Sequence, residues 1–180
     1  MAAVESGVPE SLWLVESLLN SVDVESGQDD LNSLPRFRRW LRDHGRGPAA
    51  DGATEADLTL ARDLRDALRD ELSGGGDRVG LDRLAGGIAL AVRFAPDGRA
   101  VLAPAQDGVR GVLGEVLAAI VRAEHEGTWS RLKVCSSSTC RCVYYDRSKN
   151  GSRRWCSMRI CGNRSKTRTY RERSGASPTT

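Results

Sequence analysis

Five cysteines lie in the last third of this chain, and four of them form two matching pairs. Cys135 and Cys140 have four residues between them, as do Cys156 and Cys161, and fifteen residues separate the pairs. Thiolates are soft ligands, and two short pairs joined by a loop of this size can close a tetrahedral zinc site. Cys142 complicates the choice. Using it in place of Cys140 would leave six residues inside the first pair, and it opens the apolar run Cys142-Val143-Tyr144-Tyr145, where a small hydrophobe fits. The symmetric quartet is the expected ligand set. Unligated cysteines, disulfides, an iron–sulfur cluster and redox-switching thiols are the alternatives. Four thiolates leave no open position for water, so the expected cofactor is one structural Zn²⁺ per chain.

Charge divides the chain around this cluster. Residues 131–173 hold thirteen Lys/Arg against two acids, a net +11, while the remainder holds fourteen arginines against twenty-two acids, a net −8. Two or three cations could neutralise a four-thiolate zinc, but eleven point outward. Arg164, Arg168 and Arg171 recur at i, i+4 and i+7 of a predicted helix. Arg159, Asn163, Lys166 and Tyr170 make a neighbouring stripe, and Arg153 and Arg154 precede Cys156. The arginines, Lys166 and Asn163 suit phosphate contacts and base-edge reading, so they are the expected nucleic-acid contacts. Tyr144, Tyr145 and Trp155 are expected in the module's core rather than stacked on bases.

The elements that position these residues follow from periodicity. Leu12, Val15, Leu18 or Leu19 and Val22 predict a first helix starting at Pro9. Gly27 to Asp30 reads as a polar connection. A second helix carries Phe37, Trp40 and Leu41, with Asn32 or Ser33 as cap and Gly45 as stop, and Gly45 to Gly52 reads as a loop. Thr54 and Asp57 resemble a capping box ahead of the clearest amphipathic helix, with Leu58, Ala61, Leu64 or Arg65, Leu68 and Leu72. A short helix near 81–85, a hairpin of strands 88–94 and 99–103, and a long helix over 107–126 follow. Beyond them, strands are expected at RLKVC and VYYD. Asn150-Gly151 predicts a hairpin turn into SRRW, and a basic helix begins after Ser157. The fold expectation is α+β: a mostly helical domain over 1–127 with a small hairpin, a treble-clef-like zinc module over 128–173, and a disordered tail over 174–180.

No phosphate loop, HExxH or GxSxG motif occurs, and no nucleophile–base pair is visible, so an enzyme is not expected. His44 and His125 read as surface histidines, Trp13 and Trp40 as core. The Arg/Asp alternation from Arg62 to Asp70 reads as a solvated helix face. No apolar run approaches the roughly 20 residues of a membrane span, and the first residues lack a secretory pattern. A cytoplasmic protein is expected, where clustered cysteines more often bind metal than form disulfides.

Arg153-Arg154-Trp155-Cys156-Ser157-Met158 followed by Cys161-Gly162-Asn163-Arg164 resembles the signature of the CGNR zinc-finger family of bacteria. Cys135, Cys140 and Asp146-Arg147-Ser148 also match. Leu19-Asn20-Ser21-Val22-Asp23, Trp40-Leu41 and Leu64-Arg65-Asp66-Ala67-Leu68 are similar to the ABATE domain that accompanies that finger. The resemblance implies the four paired cysteines as ligands and a stress-responsive transcription regulator. Cys142 and Arg141 depart from the family pattern, which has an aromatic and a small residue there. The expected function is a zinc-finger regulator binding double-stranded DNA, with the N-terminal domain sensing a small ligand, binding a protein partner or forming a homodimer. A protein-interaction adaptor, a thiol-based sensor and an RNA binder are the competing readings.

Overall fold

The computed structural model describes residues 7–174, apart from the side chains of residues 168, 169 and 171–174. The expected tail therefore lies outside the described residues beyond 174. Pro9 opens a single tight turn, Glu10–Leu12, that runs into α1 (Trp13–Leu19). Leu12, Val15, Leu18 and Leu19 are fully buried, as their spacing predicts. Trp13 is 44 % exposed and so is not core; it falls beside the buried stripe, and its ring leans on His44 instead. Helix α1 stops at Leu19, short of the expected Val22, which instead opens a minimal antiparallel ladder of β1 (Val22–Asp23) with β2 (Gln28–Asp29), the latter inside the expected polar connection.

Helix α2 (Leu34–Asp43) buries Phe37, Trp40 and Leu41. Ser33 takes the cap position in extended backbone without a capping side-chain bond, and Gly45 ends the helix at φ +71°. His44 is not an ordinary surface histidine. Its ring stacks on Trp40 at 4.2 Å, its Nδ1 meets the Trp40 carbonyl at 2.6 Å, and its Nε2 meets Ser17 Oγ. The imidazole thus ties the end of α2 to α1. The expected loop after it holds α3 (Gly47–Gly52), with Pro48 in its first turn and Ala49 and Ala50 buried. Six residues are too short to hold a helix by propensity; tertiary burial decides this one.

Helix α4 (Glu55–Leu72) starts at the predicted capping box, in which Thr54 and Asp57 bond each other's backbone amides. Leu58, Ala61, Leu64 and Leu68 face the core. The arginine-rich side is not a solvated face: Arg65 is 3 % exposed and Arg69 is 7 % exposed. Arg65 bonds Asp29 at 2.6 Å, Asp66 at 2.8 Å and Ser21, and Arg62 donates to the Leu31 carbonyl. Buried guanidinium groups demand such partners, and the β1–β2 segment supplies them. Burial alone would depress the Arg65 pKa, but the hydrogen bonds it donates to Asp66 and Asp29 raise it.

A short helix α5 (Arg78–Gly86) leads to the expected hairpin, β3 (Leu90–Phe94) with β4 (Ala100–Pro104), pairing Val92 with Leu102. The long helix α6 (Gly108–His125) packs on β4, α3 and α1. Gly114 permits the close approach, since a Cβ there would stand 3.1 Å from Pro104.

The C-terminal module carries β5 (Leu132–Val134) and β6 (Val143–Tyr145), paired antiparallel with Lys133 opposite Tyr144. This corrects the expected hairpin. VYY pairs backward with LKV and encloses the first cysteine pair, while the turn at 148–151 leads into irregular chain. Leu132 and Val143 join the same apolar core as α1 and α4. Asn20, at the end of α1, then acts as a short strand mimic: its amide accepts from Val143 N–H at 2.7 Å and donates to Val143 O at 2.8 Å. Arg69 completes the seam by donating to the carbonyls of Leu19 and Arg141. Among the described residues, no helix is long and apolar enough to cross a membrane.

Removing the Asn20 amide leaves both polar groups of Val143 unpaired in a half-buried seam. Asn20→Ala is expected to cost about 2 kcal/mol in denaturant unfolding and to speed hydrogen exchange at the Val143 amide.

Candidate metal centre

Two local devices bring the cysteines together. Around the first pair, the Cys135 N–H donates to the Cys142 carbonyl at 2.8 Å, and the amides of Cys140 and Arg141 both turn back to the Ser137 carbonyl. Arg141 is the only non-glycine residue with positive φ among those described, at +50°. Around the second pair, a wide turn over Met158–Gly162 is closed by the Gly162 N–H on the Ser157 carbonyl at 3.1 Å. With Ser157 extended ahead of it, that closure leaves Cys161 beside Cys156. Helix α7 (Asn163–Ser174) continues from it.

The Sγ atoms of Cys135, Cys140, Cys156 and Cys161 all lie within 4.8 Å of one another. Cys156 Sγ is 3.7 Å from both Cys140 Sγ and Cys161 Sγ. Tetrahedral thiolates at about 2.3 Å from Zn²⁺ stand about 3.8 Å apart, so the quartet fits that ion. All five cysteines are free thiols with no disulfide between them. Cys142 is outside the quartet, packed with Tyr144, Trp155 and the ligands in a small satellite cluster.

Three of the four ligand thiols, those of Cys140, Cys156 and Cys161, are held above their ordinary range. Burial is the main cause that pushes Cys140 up to about 12 and Cys161 up to about 11. Cys156 is raised as well, first by its contact with Cys142 and then by burial. Zn²⁺ must displace those protons, so its binding strengthens as pH rises.

Behind the sulfurs, Asp146 is wholly buried and organises the loop between the pairs. Its carboxylate accepts from Lys133 Nζ at 2.8 Å, from Ser148 N–H at 2.9 Å and from Arg153 N–H at 2.9 Å. Burial opposes its ionisation, but these bonds outweigh it and hold the carboxyl far below the usual range. Tyr144 is buried and donates its hydroxyl to the Arg153 carbonyl at 2.7 Å, so it is core as expected. Trp155 is half-buried beneath the Arg154 guanidinium.

The residues expected to touch nucleic acid divide in two. Arg153 is exposed, but its guanidinium lies over Tyr144 and donates to the Cys156 carbonyl. Arg164 pairs with Glu25, in the β1–β2 turn, at 2.6 Å. Arg154, Arg159, Asn163 and Lys166 are exposed, while the side chains of Arg168 and Arg171 lie outside the described ones. Arg159 sits in the wide turn rather than on α7, so the second stripe is not one continuous helical row.

Family comparisons agree with this geometry. The ABATE model, described as "Putative stress-induced transcription regulator", matches residues 13–126, and the CGNR zinc finger model matches residues 131–174. The chain belongs to the ABATE family. Its C-terminal module is a CGNR zinc finger, and the four converging thiolates are its structural zinc site. No curated protein matched the chain. Sequence reasoning found the finger's ligands but missed Arg69, Asn20 and His44. The signal for the first was present: Arg69 falls on the same helical stripe as Arg65 and Leu58.

Zinc analysis by mass spectrometry should find one ion per chain in Cys142→Ser and none in Cys156→Ser, which also loses the amide dispersion of the finger. Zinc affinity of the intact protein, read with a chromophoric chelator, should fall more than tenfold between pH 7.5 and 6.5 (roughly tenfold per displaced proton).

Proposed function

We propose that this zinc-binding regulator acts by holding double-stranded DNA with its finger. The observation that carries the reading is the cationic face on and beside α7. Arg154, Arg159 and Lys166 are exposed and have no acidic partner among the described residues. Met158 at 50 % and Ile160 at 47 % exposure stand among them, an apolar element that can pack on sugar or base edges between phosphate contacts. The Arg154 guanidinium stands 5.5 Å from the centre of the Trp155 ring with its hydrogen-bond donors uncommitted, which suits bidentate phosphate contact.

On this reading zinc is scaffold. It fixes the wide turn from which α7 departs, and so sets where the cations point. Arg164 contributes only when phosphate replaces Glu25. That exposed pair is held weakly, so the exchange is easy and the acidic β1–β2 turn tunes affinity. The ion pair also gives substance to a second reading, in which the same face docks an acidic protein segment. Recovery of a single protein on the immobilised chain after nuclease treatment would favour it.

Binding to a duplex should weaken steeply with salt. Combined Arg154, Arg159 and Lys166→Ala should lower affinity by at least tenfold at constant zinc content, whereas Glu25→Gln should raise it severalfold. Salt-insensitive binding, or none to any duplex in fluorescence anisotropy, would sink the DNA reading.

A further inference from the structure

A cleft of about 550 Å³ opens where the end of α4 meets the finger. Leu72, Trp129 and Leu132 contribute apolar surface to its lining, and Arg141, Arg153 and Arg154 contribute cationic residues. We propose that this cleft binds an organic carboxylate with an apolar, preferably aromatic, body, held by Arg141 and Arg154 and covered by Trp129.

The charge balance supports an anion. Lys133 also lines the cleft, but its ammonium is spent on Asp146 and the Gly151 carbonyl. Arg153 is spent on the Cys156 carbonyl. Glu71, the acid on the lining, is engaged by Arg78 at 3.2 Å. Arg141 meets only a hydroxyl, Ser73 Oγ at 3.1 Å, and Arg154 only the Trp155 ring. Two residues of the lining, Arg141 and Arg154, thus carry guanidinium groups without a carboxylate partner, and a planar fork is best satisfied by one.

The backbone of Arg141, already bent by the cysteine turn, also fixes where its side chain starts. Arg141 has φ +50°, a conformation that suits glycine and that a bulky side chain adopts only under constraint. Its carbonyl is pinned by Arg69 at 2.8 Å, so the strained residue is locked to α4 while its side chain spans to Ser73. Strain retained at a cleft is a mark of a binding role for the side chain. The volume argues against a bare inorganic anion, which would leave the apolar lining uncovered. A ligand here touches α4 and the finger together, so it should bind the finger more firmly to its neighbour. Arg154 is shared with the cationic face assigned to nucleic acid, but the cleft reading stands on Arg141 and the apolar lining and does not depend on that assignment.

The zinc-loaded full chain would be titrated with 2-naphthoate and benzoate, and with inorganic phosphate and 2-naphthylmethanol as anion-only and body-only probes. Calorimetry should show 1:1 binding of 2-naphthoate, at least tenfold tighter than either partial probe. The Trp129 indole resonance should shift, and zinc transfer to a chelator should slow severalfold. Arg141→Gly is the informative variant, because glycine suits the positive φ and should leave folding and zinc content intact; it should weaken naphthoate by tenfold or more. Absence of naphthoate binding, equal binding of phosphate, unchanged affinity in Arg141→Gly, or shifts confined to Trp13 and Trp40 would each overturn the proposal. So would a duplex that shifts Trp129 and displaces naphthoate only through the exposed cations of α7, since the cleft would then belong to the nucleic-acid surface.

Discussion

Convergence of four sulfurs is the constraint on which the rest of the C-terminal half depends. Apart from Leu132 and Val143, which face the N-terminal core, the finger buries little more than Cys135, Tyr144 and Cys161. A segment this small cannot repay its conformational entropy through apolar burial. Metal–thiolate bonds take the place of a core. Burial, which raises the pKa of Cys140, Cys156 and Cys161, disfavours their thiolates unless a cation accompanies them. The same site is thus poor as an apolar core and strong as a ligand set, so the finger's fold is coupled to zinc.

The seam with the N-terminal domain is polar where most packing is apolar. Asn20 bonds both backbone groups of Val143, and Arg69 reaches the carbonyls of Leu19 and Arg141. Burying Arg69 without an acidic partner depresses its pKa, through desolvation first and then through Arg65 and Arg141. What such a group supplies is orientation, since its fan of donors is satisfied only when three chain segments meet in one arrangement. The finger is consequently aimed by the N-terminal domain rather than carried on a loose tether. The Arg164–Glu25 pair adds a weaker contact on the outer side.

This architecture links metal, seam and surface. Zinc sets the wide turn, the turn sets the start of α7, and the seam sets how that start faces relative to the acidic hairpin. A change at the end of α4 reaches the cysteine loop through one residue, Arg141, whose carbonyl and guanidinium both contact that helix.

Much of this was legible in the linear chain. Paired cysteines at equal spacing, the Thr54–Asp57 box, the stripe of α4 and the hairpin around Gly98 are local patterns, and local patterns are what a sequence encodes directly. The charge division between the halves is equally plain. Tertiary structure decided what depended on distant partners. Arg65 and Arg69 look solvated until the β1–β2 segment and Arg141 are brought against them. His44 looks superficial until Trp13 and Ser17 arrive from α1. GPAADG becomes a helix because neighbours bury its alanines, and VYY pairs with LKV because the cysteine turn folds the chain back before Asn150-Gly151 can. In each case the deciding free energy comes from burial or hydrogen bonding between segments far apart in sequence, which no local window contains.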